Sequence, residues 1–309
     1  MAKLSVTHIT DPGCPFAYSA MPFLTALQWR YGDQLSWRHV MIGLTEDRAQ
    51  YEGRGYTPLK MAQGQRMFRR FGQPFVREPK PRMAATARAC RAVVATRLAQ
   101  PELEEAVFRA LQFVQFTTTL PLDDDAALRE ALARVPGVDV EAIMGQLDSD
   151  AVTEAYETDR AESRTAEGGP TEFQGKAAQT DGPVRYTAPS LLFETSDGRT
   201  LEAGGFQPLE AYDVVIANLD TSLERRPAPT DVAELLRAFP AGLTTREVAT
   251  VLAMDSFAAP DDAAAEDQLL ELVDRGDVLA EPLGDSTFWI DAASPLARDA
   301  SAVGAAAAA

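Results

Sequence analysis

Cysteine is scarce in this chain: Cys14 and Cys90 are the only two in 309 residues. That excludes a disulfide-stapled scaffold. Histidine is as rare, with His8 and His39 alone, and the four Cys and His side chains lie at spacings that match no zinc-finger pattern. No metal is expected. Lysine occurs only at positions 3, 60, 80 and 176. No apolar run approaches the ~18–20 residues that span a bilayer, and Met1–His8 has no apolar signal-peptide core. The expectation is a cytoplasmic protein without membrane contact. A G-x-x-x-x-G-K-[ST] phosphate loop and a G-x-S-x-G nucleophile elbow are both missing, and Gly53-Arg54-Gly55 lacks the third glycine of a dinucleotide fingerprint.

What is present reads as ordinary globular protein, with 46% hydrophobic and 24% charged residues. The length suggests about two domains. The net charge of −17 hides an asymmetry: residues 1–120 carry 16 Lys and Arg against 9 Asp and Glu, and the remainder carries 13 against 37. An acidic total disfavours non-specific nucleic-acid binding. The basic N-terminal part suggests a local preference for small anions, against the plainer reading of a solvated charged surface. Arg66, Arg69, Arg70, Arg77, Lys80, Arg82, Arg88 and Arg91 make up much of it.

Leu4–Ile9 alternates and predicts a strand, Asp11-Pro12-Gly13 a turn, and Pro15 the first turn of a helix that runs to Gly32. Residues 35–42 predict a second strand. Helices are expected at 83–98 and 102–116, after Leu122-Asp123 through Leu132 and after Val138-Asp139, and 165–183 reads as a loop. Ser190–Glu194 and Thr200–Ala203 predict strands around a turn at Ser196–Arg199, followed by a helix from Pro208 to Leu219. Strands on both sides of a helical block suggest one mixed domain with an insertion. After a linker at 225–229 come helices at 230–238, 244–254 and 262–275 and a hairpin turning at Gly284-Asp285, an arrangement like a winged helix.

Cys14-Pro15-Phe16-Ala17 carries the clearest chemistry. A cysteine between a strand and a helix N-terminus sits where free N–H groups and the helix dipole favour the thiolate, the nucleophile of thiol–disulfide exchange. The competing reading is a small buried hydrophobe. Cys90 shares a helical stripe with Met83, Ala87 and Val94, which predicts core rather than a distant resolving thiol. His8 could tune Cys14, but a core histidine is the plainer expectation.

Asp11-Pro12-Gly13-Cys14-Pro15-Phe16-Ala17-Tyr18, Tyr186-Thr187-Ala188-Pro189-Ser190 and the Gly198…Gly204-Gly205-Phe206-Gln207-Pro208 pattern resemble the DsbA-like branch of the thioredoxin superfamily. The resemblance covers about residues 3–222. FrnE-like proteins, kappa-class glutathione transferases and 2-hydroxychromene-2-carboxylate isomerases share this architecture. It implies an α/β thioredoxin-like fold over 1–57 and 184–222, a helical subdomain inserted at 58–183, and Cys14 as the catalytic thiol. It also implies substrate contacts from Pro15, Phe16, Thr187, Ala188 and Pro189, with a cis Ala188–Pro189 bond presenting the Ala188 backbone to a substrate. The winged-helix-like α+β module spans 227–292, and 293–309 is expected to be a disordered tail.

The family's dithiol is Cys-x-x-Cys, and here the second position is Ala17. A local disulfide cannot form, so oxidase chemistry is disfavoured. Monothiol reductase or isomerase chemistry remains, with no tightly bound cofactor and an external thiol, glutathione or mycothiol, to resolve the adduct. The alternatives are a kappa-class-like transferase or isomerase on a small organic substrate, and a non-catalytic binding or regulatory protein. Expected partners are a protein disulfide or small thiol substrate, with the C-terminal module serving a homodimer or protein contact. Residues 226–291 hold four Arg and no Lys against 14 Asp and Glu, so nucleic acid is not expected there.

Overall fold

The computed structural model describes residues 3–256 and 258–297. The chain opens with β1 (Leu4–Thr10), α1 (Pro15–Tyr31) and β2 (Leu35–Met41). Eight helices follow: α2 (Arg48–Gly53), α3 (Pro58–Arg69), α4 (Ala87–Ala99), α5 (Glu104–Thr117), α6 (Asp125–Ala133), α7 (Val140–Gln146), α8 (Asp150–Ser163) and α9 (Pro170–Phe173). A short β3 (Ala177–Ala178) and β4 (Arg185–Tyr186) lead into β5 (Ser190–Thr195), β6 (Thr200–Ala203) and α10 (Leu209–Leu219). The chain then forms α11 (Val232–Ala238), β7 (Leu243–Thr244), α12 (Thr245–Ala253), α13 (Asp262–Asp274), β8 (Val278–Leu283) and β9 (Ser286–Asp291).

The main sheet has the order β2-β1-β5-β6, with β1 parallel to β2 and antiparallel to β5. This is the thioredoxin-like arrangement. β1 is central, and six of its seven residues are buried, so it is covered on both faces. α1 has thirteen buried residues of seventeen. A helix buried nearly all round needs neighbours on both sides. It packs against α12 of the C-terminal region, and also against α10 and α3.

Helices predicted at 83–98, 102–116, around 126–132 and after Val138 are present, the first beginning at Ala87. Its start is delayed because the N–H groups of Thr86 and Ala87 both donate to the Thr45 carbonyl at 3.1 Å. α8 was not predicted, although Ser149 caps it and Val152, Tyr156, Asp159 and Ser163 form a buried stripe at helical spacing. The predicted loop at 165–183 contains α9 and β3.

The C-terminal region combines α11–α13 with an antiparallel sheet ordered β7-β9-β8. Its linker is pinned to α1: Trp29 Nε1 donates to the Pro227 carbonyl at 2.8 Å, and the Arg226 guanidinium lies 3.5 Å over the Trp29 ring. The expected disordered tail needs correction over 293–297, where Ser294 Oγ donates to the Pro240 carbonyl at 2.7 Å and Ala297 packs against buried aromatics. Residues 298–309 of that expectation lie outside the described residues. Among the described residues no helix is long and apolar enough to cross a membrane.

Candidate active site

β1 ends at Thr10, and the chain turns through Asp11–Gly13, closed by Cys14 N–H donating to the Asp11 carbonyl at 3.0 Å. Cys14 is the N-cap of α1 in extended conformation, and Pro15 fills the first helical position, where an N–H is not needed. The Asp11 side chain organises this turn. Oδ1 accepts from Gly13 N–H at 2.7 Å, and Oδ2 from Leu44 N–H and Thr86 Oγ1, each at 2.8 Å, with Cys90 Sγ at 3.4 Å. Gly13 has to be glycine for Thr86 to come this close, since a Cβ there would sit 2.4 Å from Thr86 Cγ2. Burial pushes the Asp11 carboxyl up, and those hydrogen bonds partly pull it back.

Across from this turn, Cys14 Sγ donates to the Ala188 carbonyl at 3.3 Å. The Ala188–Pro189 bond is cis. Cys14 is only 6% exposed, which decides its protonation. Burial pushes its pKa up to about 12 and Asp11 adds to the rise, whereas the N–H groups of Ala17 and Phe16 and the Arg185 charge pull it down. The expected low thiol pKa is therefore corrected. The helix N-terminus does act on Cys14, but desolvation outweighs it, and the resting thiol is protonated. In a Cys90→Ala background, alkylation of Cys14 should rise roughly tenfold per pH unit through pH 8–10 without levelling off. Stopped alkylation assays with iodoacetamide read this directly, and a plateau near pH 7 would contradict it.

Phe16 is 41% exposed and sits edge-on to Phe68, with ring centroids 4.8 Å apart. Phe206 lies beyond at 6.3 Å. Thr187 commits its hydroxyl to the Lys176 carbonyl at 2.6 Å, and its own carbonyl accepts from Ser190 Oγ. Cys14, Phe16, Ala188 and Pro189 thus gather at one place. Cys90 is fully buried in the main core, as its stripe predicted.

His8 is a buried histidine facing His39, with ring centroids 5.3 Å apart. His39, to which the sequence assigned nothing, is the centre of a cluster in which Nε2 contacts Glu105 at 2.9 Å and Nδ1 contacts Glu104 at 3.5 Å. Much of the basic stretch has partners: Arg77 with Asp285, Arg82 with Asp123 and Asp124, Arg88 with Asp125, Arg91 with Asp148, and Lys80 with the carbonyls of Thr118 and Leu120. The cation whose charge reaches Cys14 is instead Arg185, held beside Asp181 and next to the Tyr186–Pro189 segment. Sequence reasoning missed Asp11 as more than a turn residue, and missed Arg185. An Asp directly before Pro-Gly-Cys was the one available signal for the first. Among the described residues no group of three His, Cys, Asp or Glu is arranged to hold a metal.

Several solved structures share this fold at low identity. A protein-disulfide-isomerase candidate from Nitrosomonas europaea matches with TM-score 0.53 and 19% identity, over 70% of this chain and 97% of that one. A DsbA oxidoreductase candidate from Streptomyces coelicolor matches with TM-score 0.50 and 15% identity, over 70% and 89%. The cytosolic disulfide reductase DsbM from Pseudomonas aeruginosa gives 0.48 and 18%, over 71% and 98%. At such identities the likeness concerns the fold. No curated protein matches the chain. The sequence pattern of the DSBA-like thioredoxin domain matches residues 6–187, from β1 to the threonine before Ala188. With that match over more than half its length, and with Cys14 facing Ala188 across the two motifs, this chain belongs to the DSBA-like thioredoxin domain family.

Proposed function

We propose that the protein is a single-cysteine thiol–disulfide oxidoreductase, working as a reductase or isomerase with an external low-molecular-weight thiol, glutathione or mycothiol. The observation that supports this most is the Cys14 thiol at the N-terminus of α1, hydrogen-bonded to the Ala188 carbonyl. An incoming substrate backbone competes for that carbonyl, freeing Sγ beside the Ala17 and Phe16 N–H groups that favour its thiolate. The thiolate attacks one sulfur of a substrate disulfide. A bond forms from Cys14 to that sulfur, and the other substrate sulfur leaves as a thiolate that takes up a proton. An external thiolate then attacks the substrate sulfur of the adduct and releases Cys14. One substrate disulfide and one external thiol become a mixed disulfide and a free substrate thiol, with the protein unchanged.

Ala17 cannot resolve the adduct, and Cys90 is buried against Asp11. The adduct should therefore accumulate when the external thiol is withheld. Incubation with glutathione disulfide, read by intact-protein mass spectrometry, should show one glutathione on Cys14. Cys14→Ser should abolish it and Cys90→Ala should keep it. Reduction of a peptide disulfide by glutathione should fall to background in Cys14→Ser. Equal rates for the two would overturn the proposal, and turnover of a small organic substrate without any adduct would favour the kappa-class-like isomerase instead. We place this activity in the cytoplasm. The C-terminal region, which has the helix and hairpin order of a winged helix, we assign to protein association, since residues 226–291 hold 14 acidic against four basic residues.

A further inference from the structure

α3 is a helix with little to hold it. Of its twelve residues only Phe68 is buried, and so short a helix owes its stability to an apolar face packed on something else. Helical spacing puts Leu59, Arg66 and, at the C-cap, Arg70 on the side away from Phe68, with Lys60 and Met67 together on one flank, about a right angle from Phe68. Leu59 is 58% exposed and Met67 46%. The outward face of α3 is thus basic around two bare apolar side chains.

α13 is the reverse. Ala265, Leu269 and Leu272 face inward. Glu266, Asp267, Glu271 and Asp274 are exposed on one outward arc, with Leu270, 50% exposed, at its middle. Among the described residues none of these four carboxylates has an ion pair; Asp262 of this helix pairs with Arg246 instead. Asp267 and Glu271 are four residues apart, a like-charge spacing that weakens a helix unless cations approach it.

The ends of the two helices adjoin. Gly72 lies just past α3, and the Arg246 side chain rests on it so closely that a Cβ would come within 1.8 Å of Nε. Arg246 Nη2 donates in turn to Asp262, the first residue of α13, at 2.7 Å. A basic helix and an acidic helix whose ends meet at one junction are matched in charge by the same pair of a second copy under a two-fold rotation.

We propose that the protein forms a two-fold homodimer in which α3 of each copy lies on α13 of the other, with the axis passing near the Gly72–Arg246–Asp262 junction. Leu59 and Met67 meet Leu270, and the lysine and arginines meet the four carboxylates. The chain's strong overall acidity opposes self-association, and this basic patch meeting the acidic helix offsets that repulsion locally. The contact is independent of the thiol chemistry proposed above, and it is expected to be salt-sensitive.

Two multiple variants of the full chain test this. One carries Lys60→Glu, Arg66→Glu and Arg70→Glu, and the other Glu266→Lys, Asp267→Lys, Glu271→Lys and Asp274→Lys. All seven positions are exposed, and unchanged far-UV circular dichroism checks that both variants fold. Light scattering and sedimentation equilibrium at ~20 mM salt should show the wild type as a dimer of 33.4-kDa chains that dissociates near ~500 mM. Each variant alone should dimerise at least about a hundredfold more weakly, because like charges now face each other. An equimolar mixture should recover a heterodimer, since both contacts become complementary again. A wild type that stays monomeric up to ~100 µM at low salt, given how weak small interfaces are, would overturn the proposal. So would a dimer that neither variant weakens, or a mixture that stays monomeric.

Discussion

Replacing Arg109 by alanine is expected to destabilise the protein by about 3–5 kcal/mol, the cost of leaving a buried carboxylate without its cation. Arg109 lies on α5, and its guanidinium meets Glu247 of α12 through two bonds, 2.8 Å to Oε1 and 3.0 Å to Oε2. The side chains are 8% and 1% exposed, so water cannot replace either partner. Glu247 also accepts from Thr25 Oγ1 on α1 at 3.2 Å and from Thr244 N–H at 2.8 Å, the second bond closing the capping box of α12. One carboxylate thus ties α5, α1 and the C-terminal region together. Denaturant unfolding measures the loss, and hydrogen exchange in α12 should rise first. Pairing Arg109→Met with Glu247→Gln should recover most of the stability, because no unpaired charge is then buried. A loss below about 1 kcal/mol in Arg109→Ala would mean that the pair is not the fastening described.

Stability should also peak near neutral pH because of two facing histidines. The β1–β2 register sets His8 opposite His39. Burial works against a charged His39, but Glu105 and Glu104 outweigh it and raise its pKa from 6.5 to about 9. Burial, and then the charge on His39, lower His8 from 6.5 to about 3. The signs are opposite. His39 binds its proton more tightly in the fold, so its contribution is full below pH 6.5 and is lost as pH rises through about 9. His8 refuses in the fold a proton that the unfolded chain accepts, so stability falls as pH drops from 6.5 toward 3. Burial also opposes the Glu105 charge, yet His39 holds its pKa at about 2, so that contribution fades as pH falls from 4.5 through 2. The stability gap between wild type and His39→Gln should therefore be widest near pH 6 and shrink on the order of 3 kcal/mol by pH 9. Denaturant midpoints across that range test it, and a gap that does not change with pH would rule out a charged His39.

The opening strand, helix and strand were legible because each carries a local signature: β-branched residues in β1, a proline in the first turn of α1, and Gly32 at its end with φ +51°. α3 was not legible. With Phe68 as its one buried residue it has almost no apolar stripe to read. α8 could have been read from Ser149 and its buried stripe. At the site, Cys14 and Ala188 stand 174 positions apart, and only the resemblance of two motifs brought them together beforehand. His39 alternates along a strand like any half-buried residue, and nothing local announces that Glu104 and Glu105 fold onto it.

By itself the sequence determined the thioredoxin-like order of elements, the single motif cysteine and the core position of Cys90, because periodicity, turn residues and motif spacing are local properties of a chain. The tertiary structure decided the protonation of Cys14. The helix N-terminus that favours a thiolate is local, but the burial that outweighs it comes from packing by distant segments, among them Val184, Tyr186 and Ala188. It also decided that the C-terminal region packs on α1 rather than trailing from a linker, since burying Arg109 against Glu247 requires residues 138 positions apart to meet. Desolvation and ion pairing depend on who the neighbours are, and neighbours exist only once the chain has folded.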